Sequence, residues 1–211
     1  MRKRTGRPTD LAKREAIVDA ASDAFFRDGY AASAIEQIAA EAGVSKVTVY
    51  NHFGDKRGLF TAAVERECEK IRGHFSLESI GRGGLRERLT AIGEAMVAFL
   101  SRDEMVQFER RIAAETEHEP AIGIAFLDAG PRRMKRAFTV LIEAMRDSGE
   151  LQVEDAELAA EQFASMCKGL GDLERRFGAG NDHARNAQRI AGAVEVFLQA
   201  YALDKTDRNN A

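Results

Sequence analysis

Apolar residues recur at the helical period along nearly the whole chain, and no stretch shows the sustained alternation of an amphipathic strand. The spacing i, i+3, i+4, i+7 places such side chains on one face of a helix, where they can be buried together. The periodicity therefore predicts an all-α fold of about nine helices. One such stripe consists of Leu85, Leu89, Ile92, Met96 and Phe99.

Capping residues mark where several of these helices begin and end. Ser33 followed by Glu36 predicts a capping box at the second helix, in which each side chain bonds a free backbone N–H group. Asp55 and Asp155 are predicted N-caps of later helices. Gly149 follows a stripe at the position where helices often end in a left-handed residue. These signals agree with the stripes and support the helical interpretation.

Charge is distributed unevenly, although the formal net charge of the chain is only −3. Residues 1–14 carry six lysines and arginines against one aspartate. A basic end on an acidic body is typical of a nucleic-acid-binding tip carried by another module. The arm formed by Arg2, Lys3, Arg4 and Arg7 fits an adjacent minor groove. The alternative is a solvated, disordered terminus, and the sequence leaves both open.

The most informative stretch joins two short helices through a tight turn. Gly43 permits the positive φ that such a reversal needs, and Ser45 is placed to cap the following helix. Val49 and Phe53 are four residues apart, so they share the inward face of that helix. This arrangement is a helix-turn-helix, whose second helix enters the DNA major groove. The side chains left for a partner are Lys46, Val47, Thr48, Tyr50 and His52.

Residues 13–60 resemble the N-terminal domain of TetR-family transcriptional regulators. The resemblance implies a three-helix, helix-turn-helix DNA-binding domain over residues 11–60, with a fourth helix linking it to about residue 78. Ala34 departs from the family pattern, since a Ser or Thr often begins the second helix there; Ser33 is expected to supply the phosphate contact instead. The matching positions are Gly29-Tyr30, Ile38-Ala39, Ala42-Gly43-Val44-Ser45-Lys46, Thr48-Val49-Tyr50, His52-Phe53, Lys56, Leu59 and Phe60.

The match implies a double-stranded DNA operator as partner and a set of contacting residues. The hydroxyls of Thr48 and Tyr50 and the ammonium of Lys56 suit phosphate oxygens, whereas Lys46 suits a guanine edge. The alternative is the ordinary exposed face of a small helical domain. The predicted DNA-binding residues are Ser33, Lys46, Val47, Thr48, Tyr50, Asn51, His52 and Lys56.

The rest of the chain resembles, more loosely, the C-terminal domain of AefR-like members of that family. The resemblance implies that residues 79–211 form a helical bundle that binds an effector and makes a homodimer through its last two helices. The matching positions are Phe108-Glu109-Arg110-Arg111-Ile112, Glu115, Pro120, Ala129-Gly130-Pro131, Gly149-Glu150-Leu151, Ala159-Ala160-Glu161-Gln162-Phe163 and Gly169.

Two sets of residues are candidates for these roles. Methionines are flexible and polarisable, so a lining rich in Met and Phe would suit a small hydrophobic effector. The alternative is that each of these side chains packs in a core without a cavity. The predicted effector pocket is Met96, Phe99, Phe108, Met134, Phe138, Phe163 and Met166. The predicted dimer interface is Phe163, Leu170, Val194, Phe197 and Tyr201.

The motifs of common enzyme classes are missing from the sequence. It has no nucleophile elbow, no phosphate-binding glycine loop and no Cys/His metal spacing. Glu115 and His118 form one E-x-x-H pair, but no second pair accompanies it as a di-iron site requires. Cys68 and Cys167 are either thiol sensors or small buried hydrophobes. The chain is therefore predicted to be no enzyme and to need neither metal nor cofactor.

These observations together predict a cytoplasmic, dimeric regulator. No apolar run approaches the about 20 residues of a membrane span, and the basic start is not followed by a signal-peptide segment. The predicted function is that of a sequence-specific DNA-binding repressor, released from a palindromic operator by a small molecule. An activator remains the alternative, because the sign of regulation depends on where the operator lies.

Overall fold

The computed structural model describes residues 10–72 and 83–203. Within these ranges the chain forms ten α-helices and no strand, apart from one antiparallel bridge between Leu151 and Ala202. The predicted all-α class is confirmed. The helices are α1 (Asp10–Asp28), α2 (Ile35–Glu41), α3 (Lys46–Phe53), α4 (Lys56–Arg72), α5 (Leu85–Leu100), α6 (Asp103–Thr116), α7 (Pro120–Ala129), α8 (Pro131–Asp147), α9 (Ala156–Arg176) and α10 (His183–Tyr201).

Helix α7 is the element that the sequence pattern did not reveal. Its apolar residues lie on every side: Ile122 is buried, whereas Ile124 and Leu127 are exposed. A helix that is apolar on all sides has no apolar stripe, so hydrophobic periodicity alone does not predict it. Pro120 occupies its first turn, where the missing N–H group costs nothing.

Several predicted helix ends are confirmed. The carboxylate of Asp55 accepts a hydrogen bond from the backbone N–H of Gly58 at 2.7 Å, and that of Asp155 accepts one from Leu158 at 2.8 Å. Gly149 takes a φ of +72° just after α8. None of the described helices is long and apolar enough to cross a membrane.

Two compact units divide the chain. The first comprises Met1–Cys68 and Gln107–Gly130, and the second comprises Glu69–Val106 and Pro131–Ala211. The segment 107–130 thus packs with the N-terminal helices, which the sequence did not suggest. The predicted division into residues 11–60 and 79–211 stays a prediction about function.

An aromatic cluster fills the first unit. The rings of Phe26 and Phe108 stack with centroids 4.0 Å apart, and Phe108 also contacts Phe60 at 6.1 Å and Phe126 at 5.6 Å. Phe108 is fully buried there. It was predicted to line the effector pocket with six residues that belong to the second unit, so the structure corrects that grouping.

The core of the second unit is built from α5, α8, α9 and α10. The ring of Phe163 lies 5.4 Å from that of Phe138 and 5.3 Å from that of Phe197. Phe163, Val194 and Phe197 are all buried within this single chain. Their side chains are already covered, so the prediction that these three form the dimer interface is wrong.

A kink at Gly169 changes which residues of α9 face outward. Gly169 has φ 49° and ψ −152°, which is not helical, and its φ is positive, as glycine permits. The residues of α9 before and after Gly169 therefore do not form one continuous helical face. Beyond the kink, Leu170, Leu173 and Phe177 are 61%, 49% and 84% exposed in the single chain.

Both cysteines are buried. Burial raises the pKa of the Cys167 thiol to about 12, so the reactive thiolate is disfavoured at neutral pH. For Cys167 this favours a packing role over a thiol sensor.

Close packing at Gly93 yields a stability prediction. A Cβ at Gly93 in α5 would lie 2.9 Å from Cγ2 of Ile190 and 3.2 Å from Sγ of Cys167. We expect Gly93→Ala to lower the free energy of unfolding by about 1–3 kcal/mol through overpacking, as measured by urea denaturation. Gly192 lies on α10 with no heavy atom within 4 Å of such a Cβ, so Gly192→Ala should instead raise it by up to about 1 kcal/mol. Equal effects of the two variants would contradict the packing seen around Gly93.

Candidate nucleic-acid interface

The predicted helix-turn-helix is present in the first unit. Gly43 takes a φ of +67° between α2 and α3, in the left-handed region that a tight reversal requires. Ser45 is the N-cap of α3, and its Oγ accepts a hydrogen bond from the backbone N–H of Thr48 at 3.2 Å. The Thr48 hydroxyl lies 2.9 Å from the same Oγ, so this side chain takes part in the cap. The turn and the cap predicted from the sequence are confirmed.

Helix α3 has an inward and an outward face. Val49 is buried and anchors the helix. The outward face is formed by the side chains of Lys46, Val47, Tyr50 and Asn51, which are all exposed; Val47 reaches 67%. These four positions follow the i, i+1, i+4, i+5 pattern of one helical surface. We call them the outward face of α3.

Lys46 is held on this face by an acidic neighbour that the sequence analysis did not count as a site residue. Its Nζ lies 2.5 Å from Oε1 of Glu36 in α2 and 5.6 Å from the centre of the Tyr50 ring. The pair raises the pKa of Lys46 and lowers that of Glu36, mainly through their hydrogen bond. A contact from Lys46 to a base therefore requires its ammonium to leave Glu36.

Ser33 does not lie where DNA can reach it. The residue is buried, and its hydroxyl donates to the carbonyl of Gly29 at 2.7 Å. The N-cap of α2 is Ala34, and no side chain caps this helix. The predicted capping box and the predicted phosphate contact of Ser33 are therefore both wrong, because the hydroxyl proton is used inside the turn.

His52 turns toward α1 and away from the outward face. Its Nε2 lies 3.3 Å from Oδ1 of Asp10, and its side chain is only 15% exposed. The neighbouring Phe53 ring receives the Arg14 guanidinium 5.2 Å from its centre. These contacts fix α3 against the start of α1, and the DNA contact of His52 stays a prediction.

Lys56 is the first residue of α4, and its side chain reaches the turn between α1 and α2. Its Nζ donates to the carbonyl of Ala31 at 3.1 Å and lies 4.7 Å from the centre of the Tyr30 ring. Burial lowers the pKa of Lys56, and the opposing attraction of Glu115 and Glu119 is the smaller effect. Its structural role is to hold this turn, and its phosphate contact stays a prediction.

Other predicted sites have different outcomes. The basic arm of Arg2, Lys3, Arg4 and Arg7 falls outside the described residues. Glu115, the acid of the E-x-x-H pair, accepts a hydrogen bond from the backbone N–H of Ala31 at 3.2 Å. No group of three or more metal-ligating side chains occurs among the residues that the structure describes.

The remaining effector and dimer candidates lie in the second unit. Met96, Phe138, Met166 and Tyr201 pack against its buried core, and the hydroxyl of Tyr201 donates to Gln162 at 2.7 Å. Phe99 and Met134 are half-buried. An open hollow of about 460 Å³ lies elsewhere, in the first unit. Its lining is Asp55, Arg57, Gly58, Thr61, Ala121, Ile124 and Ala125, which include none of the predicted pocket residues.

Two protein-family models match the chain. The model described as bacterial regulatory proteins of the tetR family matches residues 17–63, which include the whole helix-turn-helix. The model described as the C-terminal domain of an AefR-like transcriptional repressor matches residues 87–203. The two matches lie where the sequence analysis placed the two resemblances.

Curated relatives carry related descriptions. The chain is 28% identical over 166 residues to the HTH-type transcriptional regulator YvkB of Bacillus subtilis (strain 168), covering 77% of this chain and 81% of that protein. It is 33% identical over 91 residues to the HTH-type transcriptional activator FasR of Mycolicibacterium smegmatis. That second alignment spans only 43% of this chain and 42% of FasR.

Solved structures share the fold. A TetR-family transcriptional regulator from Mesorhizobium loti MAFF303099 superimposes with a TM-score of 0.76 and 27% identity, covering 93% of this chain and all of that one. The flavonoid-responsive regulator FrrA gives a TM-score of 0.70 and 28% identity, covering 90% and 97% of the two chains. With the family matches and the capped helix-turn-helix, these findings show that the chain belongs to the TetR family of DNA-binding transcriptional regulators, which are not enzymes.

Proposed function

We propose that this protein is a homodimeric repressor that binds a palindromic operator and leaves it when a small hydrophobic molecule binds. The observation that carries the proposal is the outward face of α3, which presents four exposed side chains from a capped and anchored helix. The match of residues 87–203 to an AefR-like repressor domain favours repression. FasR, in contrast, is named an activator, but its alignment covers less than half of either chain.

The outward face has the chemistry needed to read base edges. The Asn51 amide can donate to and accept from one adenine, and the Val47 methyl groups suit a thymine methyl. Lys46 suits the two acceptors of a guanine once it leaves Glu36, whereas the Tyr50 hydroxyl suits a phosphate oxygen. The face thus combines base readout with backbone positioning.

The readout proposal predicts different effects for neighbouring residues of α3. Asn51→Ala should cost about 1–3 kcal/mol on the preferred operator and relax the preference at one base pair. Tyr50→Phe should weaken binding by a similar factor on every DNA, because a phosphate contact carries no sequence information. Selection from random DNA with purified protein, followed by affinity measurements, distinguishes the two.

The wild-type selection should return a palindrome, with half-sites centred about 34 Å or a multiple of it apart. A wild-type protein that selects no palindrome would contradict the operator proposal. An Asn51→Ala protein with the wild-type sequence preference would contradict only the assignment of Asn51.

The proposed dimer surface is the stripe of Leu170, Leu173 and Phe177 beyond the kink in α9. These side chains are well exposed in the single chain, and contiguous exposed apolar surface is typical of a protein interface. The family resemblance puts the dimer contact on the last two helices, and α9 is one of them. The stripe keeps Leu170 from the predicted interface and replaces the buried Phe163, Val194 and Phe197.

A charge on this stripe should separate the protomers. We expect Leu173→Glu to sediment as a monomer and to lose operator binding, because an unpaired charge in an apolar interface is costly. Val140 on α8 is 63% exposed and lies outside the stripe, so Val140→Glu should remain dimeric. Retention of the dimer by Leu173→Glu would place the interface elsewhere.

The effector proposal rests on the half-buried side chains beside the second unit's core. Met96, Phe138 and Met166 pack there, and methionine can adapt its shape to varied apolar ligands. FrrA, which is 28% identical to this chain, is named as flavonoid-responsive, and this supports an aromatic effector. A ligand can release DNA only to the extent that it prefers the conformer that does not bind the operator.

A panel of flavonoids and other hydrophobic compounds tests the effector. An effector at about 100 times its Kd should stabilise the protein by about 2.7 kcal/mol and should also release the operator. Phe138→Ala should weaken both responses together, while Val140→Ala leaves them unchanged. If no compound produced both responses, the hydrophobic effector would be rejected.

A further inference from the structure

Side chains from distant parts of the chain meet the backbone at the end of α1 and in the turn that follows it. Arg111 in α6 donates from Nη1 to the carbonyl of Phe26 at 2.8 Å. Glu115, one helical turn later, accepts from the N–H of Ala31 at 3.2 Å, and Lys56 donates to the carbonyl of Ala31 at 3.1 Å. Arg111 and Glu115 lie 85 and 84 residues along the chain from their partners. All of these residues belong to the first unit.

The fit between α6 and this turn is close. Gly29 has a φ of +90°, and a Cβ at this position would lie 2.7 Å from Oε1 of Glu115 and 3.4 Å from Cδ of Arg111. Beside it, the Phe26 and Phe108 rings are stacked with an interplanar angle of 12°. Both polar and apolar contacts therefore join α6 to the end of α1 and the turn that follows it.

The conformation of the turn between α1 and α2 determines how α2 and α3 are oriented. The last carbonyls of a helix lack partners within it, and a cation there also interacts favourably with the helix dipole. Arg111 meets this need at the end of α1. Helix α2 begins six residues after Gly29, and α3 follows α2 through Gly43, so a change in the turn reorients both.

We infer that Arg111 and Glu115 are positioning residues for DNA recognition, although they lie about 60 residues beyond the end of α3. They hold the turn between α1 and α2 so that the outward face of α3 meets the major groove. The inference rests on the proposed operator binding for its functional consequence. Its structural part, the restraint of the turn by α6, holds or fails without any DNA.

The test removes the carboxylate of Glu115. Its negative charge and its proposed positioning role predict opposite effects of this removal on operator binding. Loss of a negative charge should strengthen binding to the DNA polyanion. We expect Glu115→Ala instead to weaken operator binding by about three- to tenfold, because the Ala31 N–H loses its partner. Glu117→Ala removes the same charge from an exposed site two residues away and should bind at least as well as wild type.

Hydrogen exchange of the free protein supplies a second readout. Glu115→Ala should accelerate amide exchange in the peptide that spans residues 27–34, while Glu117→Ala should not. Glu115→Gln keeps an acceptor for the Ala31 N–H and should stay close to wild type in both assays. If Glu115→Ala does not fold, Arg111→Met should still show faster exchange and a lower ratio of operator to random-DNA affinity.

The outcomes separate this inference from the proposed function. If the wild-type protein binds no operator but Glu115→Ala exchanges faster at the turn, the function proposal fails and the restraint by α6 remains. If Glu115→Ala matches Glu117→Ala in exchange and in affinity, the inference is overturned whatever the operator proves to be.

Discussion

The proposed recognition surface, the outward face of α3, depends on the contacts that hold a very short helix in place. Helix α3 has only eight residues, and a helix of this length has little stability of its own in water. It is fixed by the Ser45 cap at its start, the burial of Val49 in its middle and the contact of His52 with Asp10 near its end. The cap stabilises the first turn of α3, while Val49 and His52 hold the helix against the rest of the first unit. The exposed side chains are thereby presented at defined positions before any DNA binds.

The ion pair between Lys46 and Glu36 is compatible with the proposed contact of Lys46 with DNA. Both side chains are about half-exposed or more, and exposed ion pairs contribute only about 0–1 kcal/mol. Exchanging Glu36 for a base edge or a phosphate is therefore inexpensive. Glu36 also places a negative charge beside the outward face of α3, and such a charge weakens attraction to any DNA regardless of its sequence. In the proposed complex, the pair would therefore favour sequence-specific contacts over general attraction to DNA.

The sequence predicted what local rules control and missed what distant contacts decide. Gly43 and Ser45 were identified because the turn and the cap involve residues within a few positions of each other. The same rule predicted that Ser33 caps α2, but its hydroxyl donates to the carbonyl of Gly29 instead. Periodicity found the amphipathic helices but not α7, and it did not show that Gly169 interrupts α9. A stripe also gives no information on whether the same chain or a partner covers it.

The segment 107–130 shows why a contiguous stretch of sequence is a poor definition of the DNA-binding unit. Phe108 is fully buried against Phe26 and Phe60, which belong to α1 and α4. Without that segment, an aromatic surface of the N-terminal helices would face water, and burial of a Phe side chain is worth about 1.5–3 kcal/mol. The end of α1 would also lose its contact with Arg111. The stability and the orientation of the helix-turn-helix are therefore partly encoded in the part of the sequence that the family resemblance assigns to the effector domain.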